Sequence, residues 1–316
     1  MTTPTSVGNR KRAVCSAYNR GIVLTFVNRV KELSSHPHAH PPGQQPLGPQ
    51  PLPGVNSIIA VGSGKGGVGK TTLAVNLAVA LARMGFKVGL LDADVYGPNV
   101  PLMLGTSVAP SVVGEDRILP PERYGLKVIS VGFLSPGDKP LVWRGPMLHS
   151  IIKQFLGQVE WGQLDYLVVD LPPGTGDVVI SLVQTVPLSG AVVVTTPSDV
   201  SLQDARKAIE MFRQVKVDIL GIVENMSYFV CPHCHNEVDV FSRGGGERTA
   251  QQFGVPFLGS IELDPDIRKA GDSGAPIVLE GDQSSHARSL FSFARHVVDR
   301  VREVQAESGG SVIEIQ

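Results

Sequence analysis

At 316 residues, 42% hydrophobic and 18% charged, the chain can bury one sizeable core. Its 28 basic and 29 acidic residues nearly cancel, which excludes association driven by a basic field, so neither nucleic acid nor a membrane surface is an expected partner. Apolar runs such as 21–27 and 190–194 are far shorter than the roughly 20 residues of a membrane span, and three cysteines cannot frame a disulfide scaffold in a chain this long, which suits a reducing compartment.

The first 31 residues carry Arg10, Lys11, Arg12, Arg20, Arg29 and Lys31 and no acid. Mitochondrial transit peptides and plain basic tails share that composition, so the expected compartment is the cytoplasm, with the mitochondrial matrix as the alternative. Residues 36–53, HPHAHPPGQQPLGPQPLP, are proline-rich without apolar periodicity and read as an extended linker. Residues 1–53 are therefore expected to be a basic, disordered tail, residues 54–306 the functional domain and residues 307–316 a second tail.

From residue 54 onward, short apolar stretches at 57–61, 87–91, 166–169, 191–195, 219–223 and 256–261 read as strands buried on both faces, with helical patterns between them. Between the first two, Leu73, Leu77 and Leu81 recur every four residues and Gly85 ends the helix at a C-cap position. Repetition of this unit predicts an α/β fold, a doubly wound and mainly parallel sheet joined by right-handed crossovers, and the glycine-rich motif that follows its first strand makes it a sheet of the P-loop NTPase type.

Directly after the first strand, Gly64-Lys65-Gly66-Gly67-Val68-Gly69-Lys70-Thr71 satisfies G-x-x-x-x-G-K-[ST] and opens the helix. The glycines let backbone N–H groups turn toward phosphate oxygens, and the helix N-terminus adds positive potential there. Lys70 is expected to reach the terminal phosphates and to pack against nothing in particular. The Thr71 hydroxyl is the expected Mg2+ ligand. Asp170, after the apolar YLVV, fits a Walker B acid that holds Mg2+ through water, and residues 171–177 fit a movable switch. Asp92 and Asp94 close the second strand, and Asp92 reads equally well as a turn or helix cap. Lys70, Asp94, Asp170, the turn at 195–197 and Asn225 all follow a strand, at the sheet edge where doubly wound proteins bind ligands.

Cys231 and Cys234, in SYFVCPHCHNEV, are two thiols at i and i+3. They supply half the ligands of a zinc site or a four-iron cluster, and a two-fold axis would supply the pair twice. Zinc with help from His233 or His235, a dithiol redox site and a plain turn with free cysteines remain open.

The second loop lysine, Lys65, makes KGGVGKT resemble the deviant Walker A signature of MinD, ParA and the nitrogenase iron protein, which implies that Lys65 reaches the nucleotide of a partner subunit. The same resemblance implies that Asp94 orients or activates the attacking water and that Asn225 contacts adenine. More widely, SGKGGVGKTT, LLDADVYGPNVPLMLG, WRGPM at 143–147, DLPPGTGD, TTPSDVSLQDARKAI, ENMSYFVCPHC and GVPFLGSIELDPDIR resemble the Mrp/ApbC family of iron-sulfur cluster carriers over residues 54 to about 280. That resemblance implies an ATP-hydrolysing homodimer with a [4Fe-4S] cluster bridged between subunits by Cys231 and Cys234 and passed to apo iron-sulfur proteins. The chain departs from the family in lacking a small N-terminal domain and a cysteine-rich N-terminal extension. A MinD- or ParA-like positioning ATPase is the rival. The segment around Leu290, Phe293, Val297 and Val301 argues against a membrane form, because acids interrupt it and it reads as a docking helix.

Overall fold

The computed structural model describes residues 48–114, 117–134, 145–174 and 176–309. The expectations placed on residues 1–47, Cys15 included, on Thr175 within the switch, on residues 143–144 and on residues 310–316 lie outside these. The chain joins the domain ahead of residue 54: the Gln50 N–H donates to the Thr185 carbonyl at 3.0 Å, and Leu52 packs against the core.

β1 (Val55–Ser63) is buried from Ser57 onward, as an apolar strand flanked on both faces must be. It runs through the P-loop into α1 (Lys70–Arg83), whose Leu73, Leu77 and Leu81 are fully buried. The helix stops one residue before the position read from the sequence. Met84 is the cap, and Gly85 follows at φ 94°, a conformation that costs glycine little.

β2 (Val88–Asp92) and the one-turn α2 (Val100–Met103) come next, followed by a small antiparallel pair, β3 (Ser111–Val113) and β4 (Arg117–Leu119), which stands outside the main sheet. The two-residue β5 (Glu122–Arg123) turns back antiparallel onto β6 (Leu126–Ser130). Helices and strands then alternate: α3 (Gly145–Gly157), β7 (Leu164–Asp170), α4 (Asp177–Thr185), β8 (Gly190–Thr195), α5 (Asp199–Gln214) and β9 (Ile219–Glu224). A short hairpin of β10 (Phe229–Val230) and β11 (Glu237–Val238) interrupts the alternation before α6 (Gly245–Phe253), β12 (Phe257–Ser260), α7 (Pro265–Ser273) and α8 (Arg288–Gly309).

The eight-stranded sheet has the order β12-β9-β8-β1-β7-β2-β6-β5 and is parallel except at β5. From β1 to β2 the chain steps one way across the sheet, and from β8 to β9 the other. Right-handed crossovers therefore put α1 and α5 on opposite faces. α8 packs against α1, β9 and β12, and its Leu290, Phe293, Val297 and Val301 are all buried, so this segment is a docking helix, and it continues to residue 309, into the span expected as tail. The β2–β7 register sets Asp92 beside Asp170, and the β8–β9 register sets Thr195 beside Glu224. All the strand-end residues singled out from the sequence thus meet at one edge of the sheet.

Candidate nucleotide cleft and cysteine hairpin

The loop from Gly64 to Gly69 is shaped by close approach as much as by conformation. A Cβ on Gly64 would stand 2.1 Å from the Asp204 carbonyl of α5, and one on Gly69, at φ 82°, would stand 2.1 Å from Asn225 Nδ2. Only glycine fits at either position. The Asn225 amide donates to the Val68 carbonyl at 2.8 Å and its N–H to the Thr195 carbonyl at 2.8 Å, so the end of β9 braces the loop. Gly66, Gly67, Gly69, Lys70, Thr71, Lys65, Asp94 and Asn225 line one cleft of about 700 Å³, large enough for a nucleotide. Val68 is buried behind it, and Lys65 is half-buried at its wall.

Lys70 departs from expectation. It is buried rather than free, with Nζ 2.7 Å from Asp170 Oδ1, 3.4 Å from Asp94 Oδ2 and 3.3 Å from Thr71 Oγ1. The reason is the register of β7 and β2, which sets Asp170 beside Asp92, two residues before Asp94, so that Asp170 and Asp94 meet the start of α1, where an unpaired ammonium would be costly. Asp170 keeps a second oxygen, Oδ2, buried with no hydrogen-bond partner among the described residues. Burial raises its pKa above the ordinary carboxylate range against the lowering effect of Lys70. The Thr71 hydroxyl also interacts with this carboxyl, and the two make an all-oxygen donor pair of the kind Mg2+ prefers, so the residues fit the ion the motif implies.

Asp92 is fully buried and has the capping role: Oδ1 accepts from the Asp94 N–H at 3.1 Å, and Oδ2 accepts from Ser130 Oγ at 2.7 Å and from the Val100 N–H at 3.3 Å. Burial, and next the Asp170 charge, push its carboxyl up to about 8. Asp94 in turn accepts from the N–H groups of Tyr96 and Gly97 through Oδ1, which leaves Oδ2 facing Lys70 and the cleft.

The far wall of the cleft is absent from the sequence reading. Glu262, Leu263, Asp264 and α7 residues Ile267, Arg268, Gly271 and Asp272 close it. Asp264 caps α7 by accepting from the Asp266 N–H at 2.8 Å, with Pro265 as the first helical residue, a start signal legible in LDPD. Its other oxygen meets His286 Nδ1 at 2.6 Å, and this hydrogen bond raises the imidazole above its ordinary value.

Cys231 and Cys234 sit in the turn of the β10–β11 hairpin. The Cys231 N–H donates to the Asn236 carbonyl at 3.0 Å and the His235 N–H returns to the Cys231 carbonyl at 2.9 Å, with His235 at φ 57°. Both thiols are free, Cys231 half-buried and Cys234 exposed. Backbone N–H groups of Cys234 and then His233 point at the Cys231 sulfur and hold its thiol below the ordinary 9.0. Among the described residues no third histidine, cysteine or carboxylate forms a compact ligand group with the pair; the one such group is Asp264, Asp266 and His286.

A doubly wound, mainly parallel sheet with a P-loop, a buried aspartate at the end of β7 and a nucleotide-sized cleft at the strand ends defines a P-loop nucleotide-binding protein. The model of the ParA family described as NUBPL iron-transfer P-loop NTPase matches residues 54–298, and the chain belongs to that family. It is 55% identical over 251 residues to the iron-sulfur cluster carrier protein of Deinococcus radiodurans, covering 79% of this chain and 71% of that one. It is 50% identical over 255 residues to an Arabidopsis thaliana iron-sulfur protein required for NADH dehydrogenase, mitochondrial, covering 80% and 82%. The structure of a nucleotide-binding protein in complex with ADP from Archaeoglobus fulgidus superposes with a TM-score of 0.62 at 37% identity, covering 78% of this chain and 91% of that one.

Proposed function

We propose that the chain is an ATP-binding and ATP-hydrolysing iron-sulfur cluster carrier, working as a homodimer that holds one [4Fe-4S] cluster between the Cys231 and Cys234 pairs of its two subunits and passes it to apo iron-sulfur proteins. The observation that carries the reading is the hairpin: two thiols at its turn, one with its pKa lowered by backbone N–H groups, presented with no further compact ligand among the described residues on an arm that leaves the strand bracing the P-loop. Two thiolates complete half of a four-cysteine cluster site, and a two-fold axis supplies the rest. The relatives' names agree with this cargo.

ATP would lie along Gly64 to Thr71 with Lys70 at its terminal phosphates, which requires the ammonium to turn from Asp170 toward the incoming anion. Thr71 and Asp170 would hold Mg2+, which neutralises phosphate charge when bound. Asp94, fixed by Asp92 and the Tyr96 and Gly97 N–H groups, faces the cleft where an attacking water needs an acceptor. Asn225 is taken to contact the base, and Lys65 to reach the nucleotide of the partner subunit. No described helix is long and apolar enough to cross a membrane. The cytoplasm is the proposed compartment, with the mitochondrial matrix as the alternative that one relative's name suggests.

Anaerobic reconstitution followed by iron, sulfide and zinc analysis tests the reading. The parent should hold about four irons per dimer, and Cys231→Ser or Cys234→Ser, each deleting two ligands from the dimer, should hold none while still binding MgATP. Stoichiometric zinc without sulfide would replace the carrier reading with a structural-metal one.

A further inference from the structure

The segment between β9 and α6 leaves the sheet at residue 225, carries both cysteines through the β10–β11 hairpin and returns at residue 244. Its two stems meet on one side chain. Glu224, the last residue of β9, is fully buried. Its Oε1 accepts from Ser227 Oγ at 2.6 Å on the outgoing stem and from the Gly244 N–H at 3.0 Å on the returning one, and its Oε2 accepts from the Gly246 N–H at 2.5 Å in the first turn of α6. A carboxylate at a helix N-terminus is favoured by the peptide dipoles and by N–H groups that have no partner within the helix.

The three consecutive glycines are explained by this contact and its surroundings. Gly244 lies at φ 78°, a Cβ on Gly245 would meet Leu202 Cδ1 at 2.5 Å, and a Cβ on Gly246 would meet Glu224 Cβ at 3.0 Å and Oε2 at 3.2 Å. The neighbouring residue, Asn225, holds the P-loop through the Val68 carbonyl. Adjacent positions on one strand end therefore fasten the nucleotide loop and the base of the cysteine arm.

We propose that Glu224 is the positioning residue of the cysteine arm, a buried clasp that closes the base of residues 227–244 and so fixes where Cys231 and Cys234 stand relative to the domain and to a second copy. The inference rests on the carrier reading for the cluster, though not for the clasp itself. Glu224→Gln keeps the shape but turns one acceptor into an NH2 donor facing N–H or O–H donors, leaving at least one buried group unpaired. Gly246→Ala disturbs the same contact from the other side.

The test measures hydrogen exchange by mass spectrometry on the full-length apo chain, alongside iron and sulfide content after anaerobic reconstitution. In Glu224→Gln, exchange across 227–246 should accelerate about tenfold or more while β1 and α1 keep parental rates. Cluster content should fall at least about threefold while MgATP affinity stays near the parental value, and combination with Gly246→Ala should add little, since both act on one contact. Unchanged exchange in the arm would overturn the clasp whatever the cluster content. Faster exchange with parental cluster content would overturn the positioning role. A parent that loads no cluster, with the arm loosened in the variant, would overturn the carrier reading and the cluster role while leaving the clasp supported.

Discussion

Replacing Lys70 by alanine asks whether the P-loop lysine belongs to the fold as well as to the nucleotide site. The variant removes an ammonium 2.7 Å from Asp170 Oδ1 and 3.4 Å from Asp94 Oδ2, with all three side chains less than a tenth exposed. At an effective dielectric of about 20, unit charges at those separations attract by roughly 6 and 5 kcal/mol before desolvation is subtracted. Deleting one member of a buried pair typically costs about 3–5 kcal/mol, because the remaining charge has no counter-ion. Here two carboxylates are left, with Asp92 buried beside them. A domain of this size loses roughly 2–4 °C of Tm per kcal/mol, so the nucleotide-free variant should melt about 10 °C below the parent. The deficit should shrink in mild acid, since burial already raises Asp170 and an uncompensated carboxylate can take a proton instead. Scanning calorimetry without nucleotide, with Lys70→Met as the variant that keeps the apolar stem, measures the fold term, and titration with MgATP measures the binding term. A nucleotide-free Tm within about 2 °C of the parent would refute the ion-pair argument. Unchanged MgATP affinity would refute the assignment of the cleft.

Asp92→Asn should flatten the pH dependence of stability. Its carboxyl rises from 3.8 to about 8 in the folded chain, so the folded state holds a proton that the unfolded state releases, and this stabilising term is lost as pH climbs through the folded value. Melting curves from mild acid to mild alkali should slope less in the variant, while ATP hydrolysis falls because Asp94 loses part of its support; an identical slope would contradict the argument. His286→Gln should act in the same pH sense and more weakly. The imidazole is raised by Asp264, so its contribution is complete below the ordinary 6.5 and fades above it. With the ring 43% exposed, solvent screening limits the loss to about a degree or two of Tm in mild acid. A larger deficit in alkali than in acid would reverse the sign and refute it.

The sheet was legible because its strands are buried on both faces and so read as unbroken apolar runs, with a P-loop whose spacing leaves little choice of geometry. Elements that lack such a run were not legible. β6 is a five-residue stretch with a lysine in it, read only once β2 is beside it, and β10 and β11 are two-residue strands with only Phe229 half-buried. Position at a strand end located Asp94, Asp170 and Asn225, but the bonds those residues make depend on partners far along the chain. Ser130 reaches Asp92 across 38 residues and Asn225 reaches Val68 across 157, and no local pattern encodes either. The expectation that Lys70 packs against nothing failed for the same reason, since two acids 24 and 100 residues away decide where the ammonium rests without nucleotide. Glu224 and the triple glycine carried a usable signal, an acid closing an apolar strand and a run without side chains, but each looks ordinary until the other is seen against it.

The lowered pKa of the Cys231 thiol has a practical side. A larger thiolate fraction near neutral pH makes this sulfur the faster target for oxygen and peroxide, and an accessible neighbour three residues away can resolve a sulfenic acid into a disulfide. Protein handled in air should therefore lose metal-free thiols first at this hairpin, with ATP binding spared, and recover them with dithiothreitol. A hairpin closed into a disulfide offers no thiolate to a metal until a reductant reopens it, so the state of this turn would follow the redox poise of its surroundings.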